Sequence, residues 1–183
     1  VRRKLPFEWH ELRYPANLIT LTRLLLVPFI LRALRQPGQR RRALVLLGIA
    51  LGSDIIDGPI ARHRGEVSNI GKIVDPVADK LLLNGTAWVL AGDGHFPRWV
   101  AYLLMVRDLA ILLGSSLIYR QRDEIKMAQP LGKASTVAFG AAFLAYLIDG
   151  RRAGKPALVV ALIAMIGSVL QYLLTFLRAF RQR

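Results

Sequence analysis

Predominantly apolar stretches close to the length of a bilayer span recur along almost the whole chain, at 17–34, 43–58, 73–90, 99–119, 133–148 and 156–177. About 20 apolar residues cross the hydrocarbon layer as an α-helix, and only helices or closed barrels satisfy every backbone hydrogen bond there. An apolar fraction of 54% in 183 residues, with a mean hydropathy of +0.37, is too high for a soluble domain of that size. The pattern predicts an all-α integral membrane bundle of six transmembrane helices, a single domain over 1–183 with the bundle at 17–177. Ahead of it, residues 1–14 mix Phe7, Trp9 and Tyr14 with charges, which predicts a short interfacial helix in the headgroup layer. The first apolar stretch lacks a small-residue cleavage site and is expected to stay in the mature chain.

Lysine and arginine number 26 against 12 acidic residues, a net charge of +14. The basic residues fall in short clusters between spans and not on one soluble face, so anionic headgroups and phosphate-bearing substrates are the expected partners, and no nucleic acid. With both termini cytoplasmic, fourteen Lys and Arg lie in inside segments and eight on the opposite side. The positive-inside rule therefore predicts a multi-pass protein with both termini in the cytoplasm, although Arg40, Arg41 and Arg42 run against it. The same topology puts the loop after the second helix at the cytoplasmic face. Cysteine is absent, which excludes a disulfide, a thiolate nucleophile and a Cys-based metal site.

Four carboxylates stand inside this apolar sequence: Asp54 and Asp57 near the end of the second stretch, Asp75 and Asp79 at the start of the third. A charge at membrane depth costs several kcal/mol unless it is paired, metal-bound or facing water, so such residues mark function by default. At i and i+3, and at i and i+4, each pair shares one helical face. Two such faces make a box of like charges that repel unless a cation holds them, and hard oxygen donors suit Mg²⁺, Mn²⁺ or Ca²⁺. Gly58 and Ala61 remove bulk beside the carboxylates and let a substrate approach the backbone. Pro59 weakens the helix there, Arg62 offers a planar fork suited to pyrophosphate, and Gly71 can open the third helix. An EF-hand fails on spacing. An ion or proton pathway is the alternative from another class, but it needs no Gly, Ala and Arg at fixed offsets. His10, His63 and His95 read as solvated, and Trp88 and Trp99 as interface or packing residues.

The run Asp54-x2-Asp57-Gly58-x2-Ala61-Arg62-x8-Gly71-x3-Asp75-x3-Asp79 resembles the signature of the CDP-alcohol phosphotransferases at all eight specified positions. The resemblance implies a homodimeric membrane enzyme with two divalent cations, Mg²⁺ or Mn²⁺, that transfers a phosphate-bearing group from a CDP-linked donor and releases CMP. By matched position, Asp54, Asp57 and Asp75 hold the first ion and Asp54, Asp75 and Asp79 the second. Asp79 is also the implied catalytic base, while Gly58, Ala61, Arg62 and Gly71 line the CDP site.

The opening Pro15-Ala16-Asn17-Leu18-Ile19-Thr20-Leu21-Thr22-Arg23 is similar to that of the phosphatidyl-transferring branch, whose donor is CDP-diacylglycerol, with Ala16 inserted. It adds Asn17, Thr20 and Arg23 to the implied pyrophosphate site. Asp75-Pro76-Val77-Ala78-Asp79-Lys80 is a variant common to phosphatidylglycerophosphate synthases and cardiolipin synthases, which implies a glycerol-type acceptor. Arg107-Asp108, and Ser135 where glycerophosphate enzymes carry a second Lys, lean toward phosphatidylglycerol as acceptor. The base rate of the family leans slightly more toward glycerol-3-phosphate. Arg107, Arg120 and Lys133 are the expected acceptor-binding cations.

Overall fold

The computed structural model describes residues 15–64, 71–122 and 130–181; for 15–16, 54–64, 71–73, 112, 114–122, 130 and 175–181 it describes the backbone alone. The predicted interfacial helix over 1–14 lies outside the described residues. Everything described is helical or in short turns: α1 (Pro15–Arg35), α2 (Arg40–Arg64), α3 (Gly71–Gly92), α4 (Arg98–Arg122) and α5 (Pro130–Arg181). Five helical elements thus stand where the sequence pattern predicts six. The fifth carries a break at Asp149 (φ −137°, ψ 24°) and Gly150 (φ 59°, ψ −135°), which falls between the fifth and sixth apolar stretches. The chain forms two compact units, Val1–Val89 and Leu90–Arg183.

In the first unit, α1 packs along α2 after a reversal made possible by Gly38 at φ +84°, a left-handed conformation that favours glycine. Arg32 and Arg35 end α1, where cations suit the negative end of the helix dipole. The inward stripe of α1 runs Asn17, Thr20, Arg23, Val27 and Ile30, all buried, at the spacing of one helical face. On α2 the inward stripe is Ala43, Leu47 and Ala50. Continued at the same alternation of four and three residues, it reaches positions 54, 57 and 61 of that helix. Leu31 packs over Gly85 of α3, where an added Cβ would lie 3.0 Å from its Cδ1. Thr20 and Arg23 meet Asp75 and Asp79 at the other end of the same contact. Contacts that advance together on both helices mean that α1 and α3 run parallel, with α2 returning between them in the chain.

In the second unit, the turn from α3 to α4 closes through Phe96 N–H to Leu90 O at 3.1 Å. The Phe96 ring then meets Phe143 and Tyr146 edge-on at centroid distances of 5.5 Å, a favoured aromatic geometry. Beyond the break at Gly150, α5 folds back on itself. Gly154 faces the ring of Tyr146 near the turn, and Gly132 faces Ser168 and Tyr172 further along. The two halves, 130–148 and 151–181, form an antiparallel helical hairpin.

Large apolar side chains also cover the outside, among them Phe29 on α1, Ile49 on α2, Leu81 on α3, Leu113 on α4 and Ile163 on α5. An exterior this apolar suits hydrocarbon rather than water. Two stretches among the described residues are long and apolar enough to cross a bilayer, Asn17–Arg35 and Leu131–Leu174, the second interrupted by the break.

The hairpin generates a stability prediction. A Cβ on residue 154 would sit 2.4–2.5 Å from ring carbons of Tyr146, and that ring is backed by Phe96. Gly154→Ala is expected to destabilise the detergent-solubilised protein by about 1–3 kcal/mol, read as a lower thermal midpoint. Gly48→Ala, where nothing lies within 4 Å, should leave the midpoint unchanged or raise it.

Candidate functional site

Asn17, Thr20 and Arg23 are polar residues buried on one face of α1, and α3 supplies partners for Thr20 and Arg23. Arg23 is 1% exposed, and its Nη1 donates to Asp79 Oδ1 at 2.6 Å, an ion pair whose carboxylate side retains partial access to solvent. One turn earlier, the Thr20 hydroxyl donates to Asp75 Oδ1. Because Thr20 and Arg23 are three apart on α1, and Asp75 and Asp79 four apart on α3, two rungs of the same helix–helix contact each join a donor to a carboxylate. Asn17 lies buried one further turn along α1. A charge-assisted contact to a guanidinium is stronger than a neutral hydrogen bond and fixes the carboxylate's rotamer.

Of the residues singled out in the sequence, the structure brings together Thr20, Arg23, Asp75 and Asp79. Asp54, Asp57, Gly58, Ala61 and Arg62 belong to the last turns of α2, and Gly71 is the first residue of α3. Their side chains lie outside the described residues. Asp54, Asp57 and Ala61 occupy the register positions that continue the inward stripe of α2. Pro76 sits inside α3 directly after Asp75; it removes one helical N–H donor next to the carboxylates.

The expected acceptor cations fall in the second unit. Arg107 is buried, with Nη1 donating to Asp108 Oδ1 at 3.3 Å and Nη2 to Ser168 Oγ at 3.4 Å. A Cβ on Gly132 would lie 3.8 Å from the same Ser168 Oγ, so Arg107 and the first turn of α5 converge on this serine. Lys133, next in that turn, is exposed. Arg120 belongs to α4, and its side chain is outside the described residues. Ser135 is fully buried, and among the described residues its Oγ has no hydrogen-bond partner. Sequence reasoning passed over Ser168. Its signal was a lone hydroxyl in very apolar sequence, on the stripe of Leu158, Ala161 and Met165, all buried with it.

Comparison with known proteins gives a consistent result. A family model described as CDP-alcohol phosphatidyltransferase matches residues 13–177. The chain is 31% identical over 140 residues to the cardiolipin synthase (CMP-forming) of Streptomyces coelicolor, an alignment covering 73% of this chain and 65% of that protein. It is 36% identical over 101 residues to a probable phosphatidylglycerophosphate synthase of Mycobacterium tuberculosis, covering 52% and 48%. It is 31% identical over 136 residues to the CDP-diacylglycerol–glycerol-3-phosphate 3-phosphatidyltransferase of Bacillus subtilis, covering 67% and 70%. The chain therefore spans about half to two thirds of the length of the first two of these relatives.

The paired rungs predict a graded loss of stability. Arg23→Gln should destabilise by roughly 1.5–3 kcal/mol, the worth of a hydrogen bond to a charged group, and Thr20→Val by about 1 kcal/mol, both read from thermal unfolding in detergent. Combining Arg23→Gln with Asp79→Asn should cost less than the two single changes added, because no unpaired charge is left behind. Strict additivity would mean that the ion pair contributes nothing of its own.

Proposed function

The chain belongs to the CDP-alcohol phosphatidyltransferase family, and we propose that it transfers the phosphatidyl group of CDP-diacylglycerol to a glycerol-type acceptor with release of CMP. The observation that carries the reading at the site is the pairing of Asp75 and Asp79 with Thr20 and Arg23, at 2.6 Å for the ion pair. It links two motifs far apart in the sequence in one unit. Glycerol-3-phosphate is the favoured acceptor, supported by the names of the Mycobacterium and Bacillus relatives. Phosphatidylglycerol is the second reading, favoured by Arg107-Asp108, by Ser135 and by the name of the Streptomyces relative.

The oxygen donors fit the divalent cations that the family implies. Asp75 and Asp79 are half-buried hard donors, each held by a hydrogen bond from α1, and carboxylates that bind metal are themselves commonly oriented in this way. Asp54, Asp57 and Asp75 would hold one Mg²⁺ or Mn²⁺, and Asp54, Asp75 and Asp79 the other. When bound, the ions supply neutralisation of the pyrophosphate charge. Gly58, Ala61, Arg62 and Gly71 line the cytidine diphosphate in this reading, with Asn17, Thr20 and Arg23 toward its pyrophosphate. Thr20 and Arg23 also act as positioning residues for the two α3 carboxylates. Asp79 accepts the proton of the acceptor hydroxyl as its oxygen attacks the phosphorus that bears diacylglycerol; the bond to the bridging oxygen breaks and CMP leaves. Arg107 and Lys133, with Arg120, hold the acceptor's phosphate.

The protein is proposed to be a homodimer of six-span subunits, with both termini and the carboxylates on the cytoplasmic side. The break at Gly150 supports the sixth span, because it converts α5 into two antiparallel helices of 19 and 31 residues, 130–148 and 151–181, each of which approaches or exceeds the ~20 needed to span.

Purified protein with Mg²⁺ or Mn²⁺ and CDP-diacylglycerol should release CMP only when an acceptor is present, and the faster of glycerol-3-phosphate and phosphatidylglycerol identifies the acceptor. Asp79→Asn should lower the rate by at least about 10²-fold, the usual contribution of a positioned base. Ion flux through reconstituted vesicles without CMP release would replace the enzyme reading with a transport one.

A further inference from the structure

At the turn end of the α5 hairpin, a groove of about 440 Å³ opens between the α3–α4 connection and the second half of α5. Its walls are apolar: Phe96 and Tyr146 form the buried floor, while Trp99 and Val159 are exposed along the sides. Its rim is cationic, formed by Arg151 and Lys155 with His95. Arg151 and Lys155 are four apart on one helix and so share a face. Arg151 is anchored, its Nη2 donating to Gly94 O at 2.6 Å, which holds the guanidinium at the groove while using one of its five N–H donors. Arg98 and Arg152, exposed beside the lining residues Trp99 and Arg151, add to the positive charge, and Asp93 and Asp149 at this end do not line the groove. The cations also stand on the first turns of the 151–181 helix, the positive end of its dipole.

An apolar trough with exposed apolar sides, ending in one anchored cation and a second beside it, is complementary to an acyl chain joined to a phosphate. We propose that this groove binds an anionic phospholipid of the surrounding bilayer, with an acyl chain along Trp99 and Val159 and the headgroup phosphate at Arg151 and Lys155. The charge complementarity separates it from an ordinary lipid-facing crevice, since a zwitterionic lipid gains little from the cations while an anionic one gains about 1 kcal/mol per basic residue at the membrane surface. This site lies at the hairpin turn, whereas the Arg107–Ser168 contact of the same unit lies about five helical turns further along α5.

Trp99 is a reporter inside the groove. The full chain carrying Trp9→Phe and Trp88→Phe would be reconstituted in phosphatidylcholine vesicles containing a small fraction of either bromo-acyl phosphatidylglycerol or bromo-acyl phosphatidylcholine, and Trp99 fluorescence recorded. The expected result is quenching several-fold stronger with the brominated phosphatidylglycerol at equal mole fraction, reduced toward the phosphatidylcholine level by Lys155→Gln. Arg151→Gln should do the same if it still folds, but Lys155→Gln carries the test because Arg151 also braces the α3–α4 turn. Equal quenching by the two lipids, or selectivity untouched by Lys155→Gln, would overturn the proposal. Relief of quenching by millimolar inorganic phosphate at constant ionic strength would also overturn it, assigning the rim to a soluble phosphate.

Discussion

Arg23 is the residue around which the first unit has to be built. A guanidinium with 1% of its surface exposed, in a protein whose exterior is itself apolar, is costly unless a carboxylate meets it. Asp79 does so at 2.6 Å, and Thr20 binds Asp75 one turn away. These two rungs align α1 with α3 in parallel, and the apolar contacts follow from that alignment, with Leu31 landing over Gly85. A slip of one residue would turn the Arg23 side chain about 100° away from its partner. Few apolar contacts penalise a shift so steeply, because dispersion is tolerant of neighbours while an unpaired buried charge is not.

The second unit meets the same constraint differently. Arg107 takes its carboxylate from the adjacent residue, Asp108, and a hydroxyl from Ser168. That arrangement needs the α5 hairpin to bring residue 168 back to α4, and the hairpin in turn depends on two glycines. Gly150 adopts a positive φ that other residues resist, and Gly154 leaves room for the Tyr146 ring. The polar interior of this unit is therefore a consequence of how the chain reverses. In both units buried or half-buried charged groups are held by contacts already made, Asp75 and Asp79 by Thr20 and Arg23 in the first and Arg107 by Asp108 and Ser168 in the second.

The sequence pattern separates the last two apolar stretches at Arg151, Arg152 and Lys155, because three cations interrupt the hydropathy. The backbone breaks at Asp149 and Gly150, just ahead of those cations, and they belong to the helix that follows. Hydropathy registers the change of surroundings at the end of a span, whereas helical hydrogen bonding depends only on local dihedrals, so the two boundaries differ. Two of these cations, Arg151 and Lys155, which the hydropathy pattern reads only as the end of a stretch, line the apolar groove floored by Phe96 and Tyr146.

By itself the sequence determined the helical class, through the apolar stretches. It also determined the carboxylate pairs with their fixed offsets. These are properties of composition and of a 3.6-residue period, which a linear string carries in full, whereas the burial of Asn17, Thr20 and Arg23 on one face of α1 came with the structure. Tertiary structure alone decided which stripe meets which. Thr20 and Arg23, which the resemblance assigns to pyrophosphate, also meet Asp75 and Asp79 in the fold, a contact that no linear pattern specifies. Ser168, one hydroxyl in a long apolar run, became a partner of Arg107 only once α5 had folded back. Periodicity says which face of a helix is polar, but the neighbour on that face depends on chain reversal, on the space left by glycines such as Gly85 and Gly154, and on the cost of leaving a charge unpaired.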